Sequence, residues 1–221
     1  MKLQHFIPAF MTTLLIVAPI ATGQGQFTST KEIHPQTYAV GGNFGLTLYS
    51  GDIDHGGLFP DADHKWVVGG DIFVQMKMFT GGKLVYGSFV AILSYSPQKA
   101  VAAEYEFITR LISLSGMAKI EFFTRSPFRP YAAGGLGVAF FDPAVTTYSK
   151  RAAEYAALYR GESRIALILP ISIGILWTVT KQIDITYQFT KTLAFSDNLD
   201  GWEAKDRDNY QTISIGAIYY F

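Results

Sequence analysis

Hydrophobic residues recur at every second position in eight stretches of this chain, the period of an extended strand whose side chains alternate between two faces. The last stretch, Tyr210–Phe221, sets Gln211, Ile213, Ile215, Ala217, Tyr219 and Phe221 on one side. Tyr210, Thr212, Ser214, Gly216, Ile218 and Tyr220 take the other. The first stretch, Tyr38 to Ser50, separates Val40, Phe44, Leu46 and Leu48 from Ala39, Asn43, Thr47 and Tyr49. Further strands are expected at Trp66–Phe79, from Val85 to Tyr95, at Tyr105–Phe122, from Tyr131 to Phe141, from Ile165 to Thr178 and from Ile183 to Thr190. The uncharged run Ile165 to Thr180 is long enough to suggest a membrane helix, but Pro170, its β-branched residues and the alternation of Ser172, Gly174 and Thr178 favour a strand.

The connections are alternately long (51–65, 96–104, 142–163, 194–209) and short (80–83, 123–130, 180–182). An even number of antiparallel strands with short turns at one end and long loops at the other predicts an all-β fold: an eight-stranded antiparallel up-and-down transmembrane β-barrel. The final strand then pairs with the first, removing the open edges that lipid would not tolerate.

Alternation alone does not say which face is outside. A soluble barrel coats its exterior with Lys and Glu, whereas here the non-apolar face is mainly Gly, Ser, Thr, Ala and Asn, and most charges fall in the proposed loops. Small residues suit the crowded lumen of an eight-stranded barrel. The apolar face is therefore expected outside. Composition agrees: charged residues are 16% of the chain, well below the roughly 25% of soluble domains, and aromatic residues reach 15%. Aromatic side chains are expected to form girdles at the two interfaces, with Tyr38, Phe122, Trp177, Tyr219 and Phe221 at the short-turn end and Tyr49, Trp66 and Tyr95 at the long-loop end.

The N-terminus adds an address. Lys2, the apolar run Phe6–Ile20 and the small residues Ala21-Thr22-Gly23 predict a secretory signal over residues 1–23, followed by a periplasmic lead over 24–36 and the barrel over 37–221. Absence of cysteine excludes disulfides, thiolate metal sites and a lipidated cysteine anchor. Zero net formal charge without a basic cluster argues against a nucleic-acid partner.

Candidate chemistry is sparse. Asp71, Lys77, Lys119, Glu121 and Asp184 fall on the inner face with both signs of charge, which predicts a salt-bridged network that closes the lumen. Arg110 sits in the apolar register and must lie at a rim or beside a bulge. The first long loop offers Asp52, Asp54, His55, Asp61, Asp63 and His64, and the fourth offers Asp197, Asp200, Asp206 and Asp208, but no loop carries the terminal glutamate of an EF-hand. They read as solvated loop acids. His55 and His64 have Ser50 and Ser96 nearby in the layout without a motif joining them, so neither catalysis, a metal site nor a cofactor is expected. In the third loop Tyr148, Ala152, Tyr155 and Tyr159 recur near helical spacing beside Lys150, Arg151 and Arg160.

The segments VGGNFGLTLYSGDI, YEFITRL, RPYAAGGLGVAFFDP, LPISIGILW and DITYQFTKTLAFSDNLDG together resemble the outer-membrane β-barrel family that includes PorG, a component associated with type IX secretion. The likeness spans most of the mature chain. It departs from the family's Thr-Asp-Tyr-Leu-Asp-Asp run at Ser196-Asp197-Asn198-Leu199-Asp200-Gly201. The resemblance implies an OmpA-like integral barrel with no catalytic residues to carry over, a structural or adaptor protein anchoring a periplasmic secretion assembly. Its expected partners are outer-membrane lipids, the insertion machinery reading the C-terminal signal (Ile213, Ile215, Ala217, Tyr219, Phe221) and periplasmic secretion-complex proteins. The alternative is a small outer-membrane enzyme or ligand receptor using the long loops.

Overall fold

The computed structural model describes residues 37–49, 63–81, 85–102, 105–148, 150, 164–195 and 208–221. Among these, the alternating stretches form strands β1 (Tyr38–Tyr49), β3 (Val67–Gly81), β4 (Val85–Tyr95), β6 (Tyr105–Phe122), β7 (Phe128–Thr147), β8 (Ile165–Thr178), β9 (Ile183–Ala194) and β10 (Asn209–Tyr220). Each pairs antiparallel with its neighbours in chain order. Pairing of β1 with β10, from Ala39 opposite Tyr220 to Tyr49 opposite Tyr210, closes the sheet into an eight-stranded barrel.

Two further strands arise where loops were expected. β5 (Gln98–Ala102) folds back on β6, and β2 (Asp63–Lys65) adds to β5. Likewise β7 runs on to Thr147, opposite Tyr105. The β6–β7 hairpin thus rises beyond the barrel at the long-loop end and carries β5 and β2 along one side. Arg110 sits in this extension, opposite Asp142 in an unbroken register, so its outward position reflects a rim and not a bulge. A register shift does occur between Lys77 and Phe79, which leaves both Met78 and Phe79 exposed near the turn into β4. Pro170, which lacks a backbone donor, sits where the β7–β8 ladder skips from Gly134–Ile171 to Gly137–Ile168.

Burial follows the two-residue period. Phe44, Ile72, Leu93, Leu114, Leu136, Ile173 and Ile215 point outward and are exposed, whereas Asn43, Gln75, Ser88, Ser113, Lys119, Ser172 and Thr186 point inward and are buried. Such a continuous apolar exterior is far larger than the patches of a soluble monomer. Among the described residues the interior has two apolar clusters. One, at the short-turn end, joins Phe73, Val90, Tyr131, Leu176, Ile218 and Tyr220; the other, at the long-loop end, joins Leu111, Phe141, Ile168 and Tyr210.

At the short-turn end Phe128 stacks on Trp177 with centroids 6.0 Å apart, and Phe221 stacks on Tyr38 and Tyr219, each at 6.4 Å. Phe122 is exposed there too, as are Trp66 and Tyr95 at the other end. Tyr49 is not part of the girdle. It is 1% exposed and shares the inward row of Asn43 and Thr47, where its hydroxyl donates to the Asp208 carboxylate and its ring packs edge-on against Phe107. Strand parity decides this position: an odd number of steps separates Tyr49 from the outward Leu46.

Candidate functional site: the ionic network and polar chamber of the lumen

The inner ends of β6, β7, β8, β9 and β10 meet in a buried ionic network. Lys119 and Glu121 are two residues apart on β6 and so share the inner face; their Nζ–Oε1 distance is 2.9 Å. The other Glu121 oxygen accepts from Arg129 Nε at 3.2 Å. Arg129, from the start of β7, then reaches across β8 and β9, where one terminal nitrogen donates to Thr178 Oγ1 at 2.6 Å and the other to Asp184 Oδ2. Tyr220 of β10 donates to the same Asp184 oxygen at 2.9 Å. Lys119 also donates to Gln75 Oε1 at 3.1 Å and stands 4.7 Å from the centre of the Tyr131 ring.

Two cations and two anions make the network neutral, as a space cut off from water demands. Arg129 is its keystone because a planar fork can serve two carboxylates at once, which a lysine ammonium does less well. Gly174 makes room for the Tyr131 ring that Lys119 stands over: a Cβ there would stand 2.5 Å from Tyr131 Cζ.

Of the inner-face charges expected from the sequence, Lys119, Glu121 and Asp184 come together, while Asp71 is engaged by a neutral amide. Asp71 accepts from Asn43 Nδ2 at 2.8 Å, and Lys77 lies 5.1 Å from the Tyr86 ring centre. The two are six residues apart on one strand, roughly 20 Å, so they stand at different depths of the lumen. Arg129 was missing from the expected set because Pro127 and Pro130 mark a turn. Counting back by twos from Ala139 through Gly137, Gly135, Ala133 and Tyr131 puts Arg129 on the inner face.

Above the network lies a polar chamber, lined by Asp71 and by hydroxyls from β4, β6, β8, β9 and β10. Space of about 40 Å³ is open to water centres, enough for about three waters at ~10–15 Å³ each. Several hydroxyls satisfy one another: Ser172 with Thr190 at 2.8 Å and Thr47 with Thr212 at 3.2 Å. Tyr131 lines the adjoining cavity, its hydroxyl donating to Gln188, a residue of both walls, at 2.7 Å.

Among the described residues no group of three or more His, Asp or Glu is placed to hold a metal. Asp208 is buried beside Tyr49 and is not a solvated loop acid. The loop acids Asp52, Asp54, Asp61, Asp197, Asp200 and Asp206, with His55, Ser50 and the third-loop positions 151–163, lie outside the described residues, as do the signal and lead over 1–36. For Asp63 and His64 the backbone is described, in β2. On the hairpin extension, Glu106 is held by Lys99 at 2.6 Å and Tyr148 at 2.9 Å, which lowers its pKa, the Lys99 contact contributing most. Arg164 pairs with Asp142 at 2.5 Å.

No protein-family model matches the chain, and no curated protein matches it. Solved structures do. Neisserial surface protein A superposes with a TM-score of 0.52 at 14% identity, covering 83% of this chain and 97% of that one. This is the fold of an outer-membrane β-barrel. The attachment invasion locus protein Ail of Yersinia pestis gives 0.45 at 12% identity, covering 84% and 99%, and the outer membrane enzyme PagL gives 0.43 at 11% identity, covering 83% and 99%. At these identities the likeness speaks to fold alone.

Proposed function

We propose that the chain is an integral outer-membrane barrel that serves as a closed scaffold and not as a pore or an enzyme, anchoring a periplasmic secretion assembly. The observation that carries the closed-scaffold reading is the neutral Lys119–Glu121–Arg129–Asp184 network, buried on the short-turn side. Its four charges are spent on one another, so none of them is left to draw ions through. The apolar exterior, with aromatic side chains at both ends, supports residence in a bilayer. The secretion role rests on the resemblance of segments such as RPYAAGGLGVAFFDP and LPISIGILW to the PorG-containing family.

Two measurements test the reading. In planar bilayers the refolded barrel gives no steady porin-sized conductance; such a conductance overturns the closed lumen. Mild crosslinking in native membranes followed by purification recovers periplasmic secretion proteins in stoichiometric amount; recovery of the barrel alone overturns the anchoring role.

A further inference from the structure

The ionic network balances its own charges, but the chamber above it does not. Among the described residues lining that chamber, Asp71 is the single charged side chain. Its hydrogen bond comes from a neutral amide, Asn43. Lys119, which lines the adjoining cavity, is already engaged by Glu121 and Gln75. A carboxylate enclosed in a narrow, poorly hydrated space is costly without a counter-charge.

Two buried oxygens, one on the chamber wall and one on β1, also make no hydrogen bond. Ser214 lines the same chamber, is 3% exposed, and its Oγ makes no hydrogen bond. Asn43 is 8% exposed; its Nδ2 is used on Asp71 while its Oδ1 makes no hydrogen bond. Asn43 Oδ1 lies over Gly216, where any Cβ would collide with it, so glycine at 216 makes room for the amide whose Nδ2 holds Asp71. β1 and β3 place Asn43 opposite Asp71, and β10 places Ser214 two residues from Gly216, which faces Asn43 from the other side. Buried acceptors left open are rare, because each costs its desolvation without return.

We infer that the chamber holds one hard monovalent cation, of the sodium class, bound by the Asp71 carboxylate with Ser214 Oγ and completed by water. Oxygen donors select a hard ion. One carboxylate is neutralised by one positive charge, whereas a divalent ion would leave an excess charge in the lumen. The space holds a few waters, which complete the ligand shell of a small ion.

The test uses the refolded barrel in detergent micelles, titrated with sodium chloride against N-methyl-D-glucamine chloride at constant ionic strength. The sodium-23 resonance broadens with wild type, and Asp71→Asn removes the saturable part of that broadening. Ser214→Ala, which keeps the carboxylate, weakens binding roughly fivefold, the loss of one neutral contact. The heat-dependent gel shift verifies that each variant is folded. Equal broadening by folded wild type and Asp71→Asn overturns the site. So does a protonated-carboxyl infrared band that persists in sodium buffer and is absent from Asp71→Asn, since a proton would then supply the missing charge. If Asp71→Asn does not fold, the infrared measurement on wild type still decides: an ionised Asp71 in sodium that protonates in N-methyl-D-glucamine supports the site.

Discussion

Replacing Arg129 by methionine deletes the one group that serves both carboxylates of the ionic network while keeping much of the side chain's volume. Glu121 retains Lys119 at 2.9 Å, so the loss falls mainly on Asp184, which has no solvent exposure and loses its guanidinium partner. Removing one partner of a buried pair costs about 3–5 kcal/mol, because the remaining charge has lost its solvation and its counter-charge together. Against a total stability of order 5–15 kcal/mol, that is a large fraction.

The double variant Arg129→Met/Asp184→Asn separates charge from packing. With both charges gone the desolvation term disappears, and the double variant returns to within about 1–2 kcal/mol of wild type, the residue being hydrogen bonds lost around Thr178 and Tyr220. Urea titration in lipid vesicles, followed by tryptophan fluorescence with the gel shift as a check of folding, measures the difference. At a slope of about 2 kcal/mol/M, the single variant's midpoint falls by about 2 M. A single variant within 1 kcal/mol of wild type, or a double variant no more stable than the single, refutes the assignment of Arg129 as the keystone.

Tyr49→Phe loses about 1.5–3 kcal/mol in the same titration, because a buried bond to the Asp208 carboxylate is removed; an interfacial girdle tyrosine would lose almost nothing. Ile173→Arg, on the outward face near the middle of β8, costs about 2–4 kcal/mol if that face meets lipid and far less if it meets water. Lys99→Met raises the pKa of Glu106 toward the ordinary glutamate value, read from its carboxyl-carbon resonance, and an unmoved midpoint rejects the pairing. Because Glu106 is depressed in the folded state, its contribution is present above the unfolded-state pKa and is lost as pH falls through the lower folded value; neutral pH changes nothing. Removing Phe221 lowers the amount of assembled barrel in cells, by membrane fractionation; unchanged amounts count against an insertion signal in the last strand.

Face assignment was legible in the sequence because a two-residue period needs no knowledge of partners. Val40, Phe44 and Leu46 could be placed outward from β1 alone. Depth along the barrel was not legible, since it depends on the stagger between strands, which hydrophobic pattern does not encode. Asp71 and Lys77 share a face but not a layer, whereas Glu121 and Asp184, far apart in sequence, are brought together by Arg129. β5 was missed for another reason. Gln98-Lys99-Ala100-Val101-Ala102 is short, follows Pro97 and has little intrinsic strand preference; it is a strand because the extension of β6 offers it a ladder.

The last strand ties these layers together. Along β10, Tyr220 hydrogen-bonds into the ionic network, Ser214 faces the chamber and Tyr210 belongs to the apolar cluster at the long-loop end. The same strand forms the ladder to β1 that closes the sheet. Leaving β10 undocked would therefore expose two unpaired edges and at the same time open all three inner layers, including the Asp184 carboxylate that Tyr220 covers. Closure of the backbone and completion of the lumen are one event. The alternation of apolar and polar residues along β10 thus sets both the outer surface of the barrel and the last part of its interior.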